Sequence, residues 1–207
     1  LARFPDGKGL DLWVTGNDGN VYTAYYHDDL GSWKGWYQIA GNVPSGLPAG
    51  APVTALARFP DGKGLDLWVT GNDGNVYTAY YHDDLGSWKG WYQIAGNVPS
   101  GLPAGAPVTA LARFPDGKGL DLWVTGNDGN VYTAYYHDDL GSWKGWYQIA
   151  GNVPSGLPAG APVTALARFP DGKGLDLWVT GNDGNVYTAY YHDDLGSWNG
   201  WYQVVEV

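Results

Sequence analysis

Two tryptophans, Trp33 and Trp36, lie just beyond a pair of adjacent aspartates, Asp28 and Asp29. An indole ring can stack on the apolar face of a sugar, whose hydroxyls then need fixed polar partners. The same amphipathic rings also serve packed interfaces. His27 and Asn17 stand nearby as further polar candidates. The set recurs as Trp88, Trp91, Asp83 and Asp84, then as Trp143, Trp146, Asp138 and Asp139, and finally as Trp198, Trp201, Asp193 and Asp194. Both uses stay open for the tryptophans. Trp36 begins a predicted strand, which suits packing, whereas Trp33 lies in a loop beside Gly31 and Ser32.

Other chemistries fit these residues poorly. Glycoside hydrolysis needs two carboxylates facing each other about 5–9.5 Å apart, but neighbours such as Asp28 and Asp29 on an extended segment point apart. They read more simply as solvated or turn-capping residues. The run Asp6-Gly7-Lys8-Gly9-Leu10-Asp11 has the look of a calcium loop, yet Lys8 stands where an oxygen ligand belongs. His27, His82, His137 and His192 fall in connections at the periphery rather than around an axis. Neither Thr15 nor Ser32 has an activating base pattern, and no glycine-rich loop opens a helix. The reading is non-enzymatic, with no cofactor and no metal.

The candidate residues recur because the chain itself repeats. A 55-residue unit starts at Leu1, Leu56, Leu111 and Leu166, giving three full copies and a 42-residue remainder in 207 residues. The internal copies agree at every position. Only the last differs, with Asn199 for Lys34 and Val204-Val205-Glu206-Val207 for Ile39-Ala40-Gly41-Asn42. Such identity means recent amplification or design. A period of this length marks a repeat architecture, and a 55-residue unit alone buries too little surface to be stable. A fourfold site also argues for a multivalent binder or a scaffold rather than one asymmetric active site.

Four strands are predicted within each unit. The first is Val53–Phe59, shortened to Leu1–Phe4 in the first copy, and a turn at Pro5–Gly9 follows. Leu10–Thr15 comes next, alternating Leu10, Leu12 and Val14 against Asp11, Trp13 and Thr15, the period of a sheet. Asn17-Asp18-Gly19 is a hairpin signal. Asn20–Tyr26, rich in strand formers, is the third strand. After the connection His27–Ser32, Trp36–Ala40 is the fourth. Prolines 44, 48 and 52 make the following segment, 41–52, an extended crossover to the next unit.

Four antiparallel strands per unit predict an all-β fold, a β-propeller with four blades per chain in one domain. The blades fall at about 1–41, 53–96, 108–151 and 163–207. Four blades close into a small ring, or two chains pair as half-rings into an eight-bladed homodimer.

Composition narrows the partners. The net charge is −10, with 11 Lys and Arg against 21 Asp and Glu, which excludes a basic nucleic-acid footprint. No apolar run is long enough for membrane insertion and no signal-peptide pattern stands at the start. With no Cys, neither disulfides nor a redox compartment can be read. A natural chain of this kind is expected outside the cell; an engineered one is expected in the cytoplasm of its expression host.

The run Leu10-Asp11-Leu12-Trp13-Val14-Thr15-Gly16-Asn17-Asp18-Gly19-Asn20-Val21-Tyr22, followed by Trp33-Lys34-Gly35-Trp36, resembles the blades of bacterial PLL-type propeller lectins. The likeness covers about half of each copy. It implies fucose-type carbohydrate bound between adjacent blades by aromatics and small polar groups, in a family that usually has about seven blades. A designed symmetric scaffold without a ligand is the alternative.

Overall fold

The computed structural model describes residues 2–3, 8–57, 63–112, 118–167 and 173–205. Parts of the first predicted strand (Leu1, Phe4, Arg58, Phe59), the turn at Pro5–Gly7 with its copies, Asp6 of the calcium-like run, and residues 206–207 lie outside the described residues.

The chain forms four antiparallel sheets, each a meander of four strands in sequence order. Sheet 1 comprises β1 (Ala2–Arg3), β2 (Gly9–Thr15), β3 (Val21–His27) and β4 (Ser32–Gln38). Sheet 2 comprises β5 (Thr54–Ala57), β6 (Gly64–Thr70), β7 (Val76–His82) and β8 (Lys89–Gln93). Sheet 3 comprises β9 (Thr109–Ala112), β10 (Gly119–Thr125), β11 (Val131–His137) and β12 (Lys144–Gln148). Sheet 4 comprises β13 (Thr164–Ala167), β14 (Gly174–Thr180), β15 (Val186–His192) and β16 (Ser197–Gln203).

The period-2 pattern of β6 gives each sheet two unlike faces. Leu65, Leu67 and Val69 point to one side, and Asp66, Trp68 and Thr70 to the other. The leucine face of one sheet packs on the tryptophan face of the sheet before it. Thus Trp68, Val76 and Ile94 of sheet 2 share a core with Leu120, Leu122, Val124 and Trp146 of sheet 3. Equivalent cores join sheets 1 and 2 and sheets 3 and 4. Among the described residues no such cluster joins sheet 4 to sheet 1.

Three features depart from the sequence-based expectations. The fourth strand lies earlier than Trp36–Ala40 and ends at the glutamine. Ile39 leaves the ladder for the core, its N–H donating to Val21 O at 3.0 Å. The connection after β3 contains a 3-10 turn, Asp28–Leu30, repeated in every copy. The crossover is folded rather than extended. Gly46 N–H donates to Val43 O at 2.8 Å and Ala51 N–H to Pro48 O at 3.0 Å, closing two turns that bury Val43, Leu47 and Ala51. A three-residue helical turn has no periodicity for a sequence reading to find.

Candidate functional site

Between sheets 2 and 3, and again between sheets 3 and 4, lies a cleft whose lining follows from strand register. On the tryptophan face of sheet 2, Asp66 pairs across the ladder with Tyr80, and Trp68 with Thr78, which pairs in turn with Tyr92. On the leucine face of sheet 3, Leu120 pairs with Tyr136. These two rows face each other. Asp66, Thr78, Tyr80, Tyr92, Gln93 and Ile94 form one wall. Leu120, Tyr136 and Trp143 form the other, around a cavity of about 430 Å³. The same arrangement recurs between sheets 3 and 4. There Asp121, Tyr135, Tyr147 and Gln148 oppose Leu175, Tyr191 and Trp198 around about 360 Å³. Both volumes fall in the range of small-molecule sites.

The walls are fixed by packing. Trp143 lies 5.6 Å from Tyr136 between ring centroids and sets its edge against Trp68 of the neighbouring sheet, centroids 6.5 Å apart. Tyr80 and Tyr92 pair at 6.4 Å on the opposite rim, with Tyr92 more than half exposed. At the base, the Thr78 hydroxyl donates to Leu67 O at 3.0 Å, and the Gln93 amide nitrogen is held by Asn97 Oδ1 at 2.9 Å. Asp66 and Asp121 are buried carboxylates in a lining otherwise made of aromatic and aliphatic side chains with one threonine and one glutamine. For the equivalent Asp11 in sheet 1, burial pushes the carboxyl up to about 6. Each cleft therefore offers ring faces for stacking beside a fixed polar floor. That chemistry suits a small ligand with one apolar face and several hydroxyls.

The sequence-selected residues scatter over this geometry. Trp143 and Trp198 line the clefts. Trp88 holds the equivalent place against Trp13, at 6.5 Å, and against Tyr81. Among the described residues no sheet lies against Trp33, which stands exposed beside Tyr26. Trp91, Trp146 and Trp201 lie in the inter-sheet cores rather than the clefts, and Trp201 Nε1 donates to Gly151 O at 3.3 Å. A bulge sets them there. Thr78 pairs with Tyr92 and Ala79 with Gly90, so Trp91 is the extra residue. Gly90 must be glycine, because its φ is 139° and a Cβ would come within 2.7 Å of Ala79 Cα. Trp36, the copy on sheet 1, is exposed.

The paired aspartates lie away from the clefts. Asp28 and Asp29, Asp83 and Asp84, Asp138 and Asp139, and Asp193 and Asp194 sit in the exposed 3-10 turns. The histidine before each pair caps its turn, as where Asp29 N–H donates to His27 Nδ1 at 3.3 Å. Asn17 is exposed in its hairpin. The cleft residues that the sequence reading passed over are Asp66, Tyr80, Tyr92, Tyr136 and their copies. One signal was present: an aspartate on the same strand face as a tryptophan, in a strand whose other side chains are apolar apart from Thr70.

Comparison with known proteins places the fold. No family model matches the chain, and no curated protein matches it. Among solved structures it is similar to the BP39L lectin of Burkholderia pseudomallei, at 27% identity and TM-score 0.80, covering 99% of this chain and 54% of that one. It is also similar to the SapL1 lectin, solved with alpha methyl fucoside, at 18% identity and TM-score 0.64, covering 97% of this chain and 59% of that one. The six-bladed propeller lectin of Aleuria aurantia matches at 15% identity and TM-score 0.60, covering 99% of this chain and 60% of that one. A polysaccharide lyase is a more distant neighbour, at 14% identity and TM-score 0.56. The chain thus spans somewhat over half the length of the lectins it resembles. It is an all-β protein of four four-stranded antiparallel sheets whose structural neighbours include β-propeller lectins.

Proposed function

We propose that the protein is a non-enzymatic, multivalent lectin that binds fucose-type carbohydrate in the clefts between adjacent blades. The recurrence of one lining carries this reading: a buried aspartate, a tyrosine pair on one wall and a Tyr–Trp pair on the other, present between sheets 2 and 3 and again between sheets 3 and 4. The lectin neighbours support the ligand class. In each cleft the indole of Trp143 or Trp198 supplies the stacking surface, and Asp66 or Asp121 belongs to the polar floor. The exposed aspartate pairs belong to the first turn of the 3-10 turns that the preceding histidines cap. Each cleft alone binds weakly, and repetition on one rigid body gives avidity on a clustered glycan surface. Glycans are the partners, and a homodimer completes an eight-bladed ring.

A glycan array with free fucose as competitor tests the reading, with binding expected and competed. Trp143→Ala and Trp198→Ala together should abolish binding at those two clefts while Asp83→Asn and Asp138→Asn leave it unchanged. A blank array from a protein folded by circular dichroism would favour the alternative, a symmetric scaffold with no ligand.

A further inference from the structure

The two outer faces of the chain are the two halves of a cleft. On sheet 4, Asp176 pairs with Tyr190 and Thr188 with Tyr202, and the two tyrosine rings sit 6.3 Å apart, against 6.4 Å for the Tyr80–Tyr92 pair of a complete cleft. On sheet 1, Leu10 pairs with Tyr26 and Tyr26 with Trp33, the rings 5.7 Å apart, against 5.6 Å for Tyr136 and Trp143. Each half-site already holds the geometry of its completed copies, and each lacks the wall opposite.

The apolar surface around each half-site is uncovered in the same way. Trp36 is 53% exposed where Trp91 and Trp146 are 6%, and Val14 is 44% exposed where Val69 and Val124 are 0%. On the other side Leu166 is 56% exposed and Val186 43%, whereas Val76 and Val131 are 0%. The sequences are identical at these positions, so the complement of each bare face is known. It is the face at the chain's other side, and the pairing is seen three times within one molecule.

We infer that the occupant of these faces is a second copy of this chain, packed head to tail. The leucine face of sheet 1 then lies on the tryptophan face of the partner's sheet 4, at two equivalent seams. The chain covers 54% of the BP39L lectin and 60% of the six-bladed Aleuria aurantia lectin, so two copies have at least the length of one such chain. Eight blades lie within the range of known propellers. A head-to-tail contact that closes after two copies gives a finite dimer rather than a filament.

Each seam builds one further composite cleft, with Asp176, Tyr190 and Tyr202 from one chain and Tyr26 and Trp33 from the other. Its ligand class rests on the carbohydrate reading above; the seam itself does not. The seams differ from the internal contacts, because Val204 replaces the buried isoleucine and Asn199 the lysine, and within these 207 residues no crossover after sheet 4 supplies counterparts of Val43, Leu47 and Ala51.

The test measures the mass and the sugar stoichiometry of the 207-residue chain. Sedimentation equilibrium should give twice 22.3 kDa. Titration with methyl α-L-fucoside should count four sites per chain: the two clefts described above, the equivalent place between sheets 1 and 2 where Trp88 meets Trp13, and one composite cleft. Trp36→Arg and, separately, Leu166→Arg put a charge on opposite bare faces that touch no internal core. Each should give a folded 22.3 kDa monomer with three sites per chain. A wild-type chain that stays monomeric at high concentration overturns the inference and leaves these faces to further blades or another protein. So does a dimer that survives both substitutions, an open-ended series of larger masses, or a dimer that binds three sugars per chain. A dimer split by both substitutions that binds no fucoside supports the seam and retires the carbohydrate reading alone.

Discussion

Sheets 1 and 3 are built from the same residues, yet they live in different surroundings. β10 is buried along its whole length, whereas β2, with the identical sequence, is only partly covered. Every residue of β4 is exposed, whereas in β12 Trp146 is buried. Sheet 3 has a neighbour on both faces and sheet 1 on one. The core of this protein therefore belongs to the contacts between sheets rather than to any one sheet, as in other stacked repeats.

The largest contrast should appear at the bulge tryptophan. Trp91→Ala is expected to cost about 3–5 kcal/mol, in the range of buried aromatic truncations. Trp36→Ala, the same change in the same local sequence, should stay within about 0.5 kcal/mol in the monomer, as exposed substitutions do. Urea unfolding at low protein concentration compares them directly. Equal costs would mean that the blade, not the interface, holds these rings.

A smaller effect is expected at the threonine that ties β7 to β6. Thr78→Val removes a buried hydroxyl bond to Leu67 O and should cost about 1 kcal/mol. Thr23→Val, where the equivalent bond of 3.1 Å is only part-buried, should cost less.

Two aspartates sharpen the comparison by responding to pH in opposite directions. Burial raises the Asp11 carboxyl from 3.8 to about 6, so the folded state holds a proton that the unfolded chain has released. Its effect is a loss of stability as pH rises from about 4 through about 6, and Asp11→Asn should flatten the pH profile there. Asp183 is lowered to about 2, first by the Tyr187 hydroxyl donating at 2.6 Å and then by Asn185. Its contribution is fully present above about 4 and is lost as pH falls toward about 2. Asp183→Asn should remove that acid limb in thermal melts. It is the smallest effect of the set, because the group is exposed and screened.

Strand content was legible in the sequence because alternation at Leu10–Thr15 and the Asn17-Asp18-Gly19 turn are local signals. The limits of the fourth strand were not. They depend on where the bulge puts Trp36 and on the pull of Ile39 into a core shared with the next sheet. The clefts were less legible still. Asp66, Tyr80 and Tyr92 come together through register across three strands, and Trp143 reaches them from another repeat. Adjacency in sequence drew attention to Asp28 and Asp29, whereas the nearest use of these side chains is in their own 3-10 turn.

The folded crossover also decides where this chain tolerates alteration. Leu47 and its turns are wedged between sheets, with Asn72 N–H donating to Gly46 O at 3.0 Å and the Asn72 amide to Ser45 O at 3.2 Å. What looks like a linker is part of the core between consecutive sheets. New termini, grafted peptides or inserted domains belong instead at the exposed 3-10 turns, such as Asp138–Leu140, where no backbone of a neighbouring blade would be displaced.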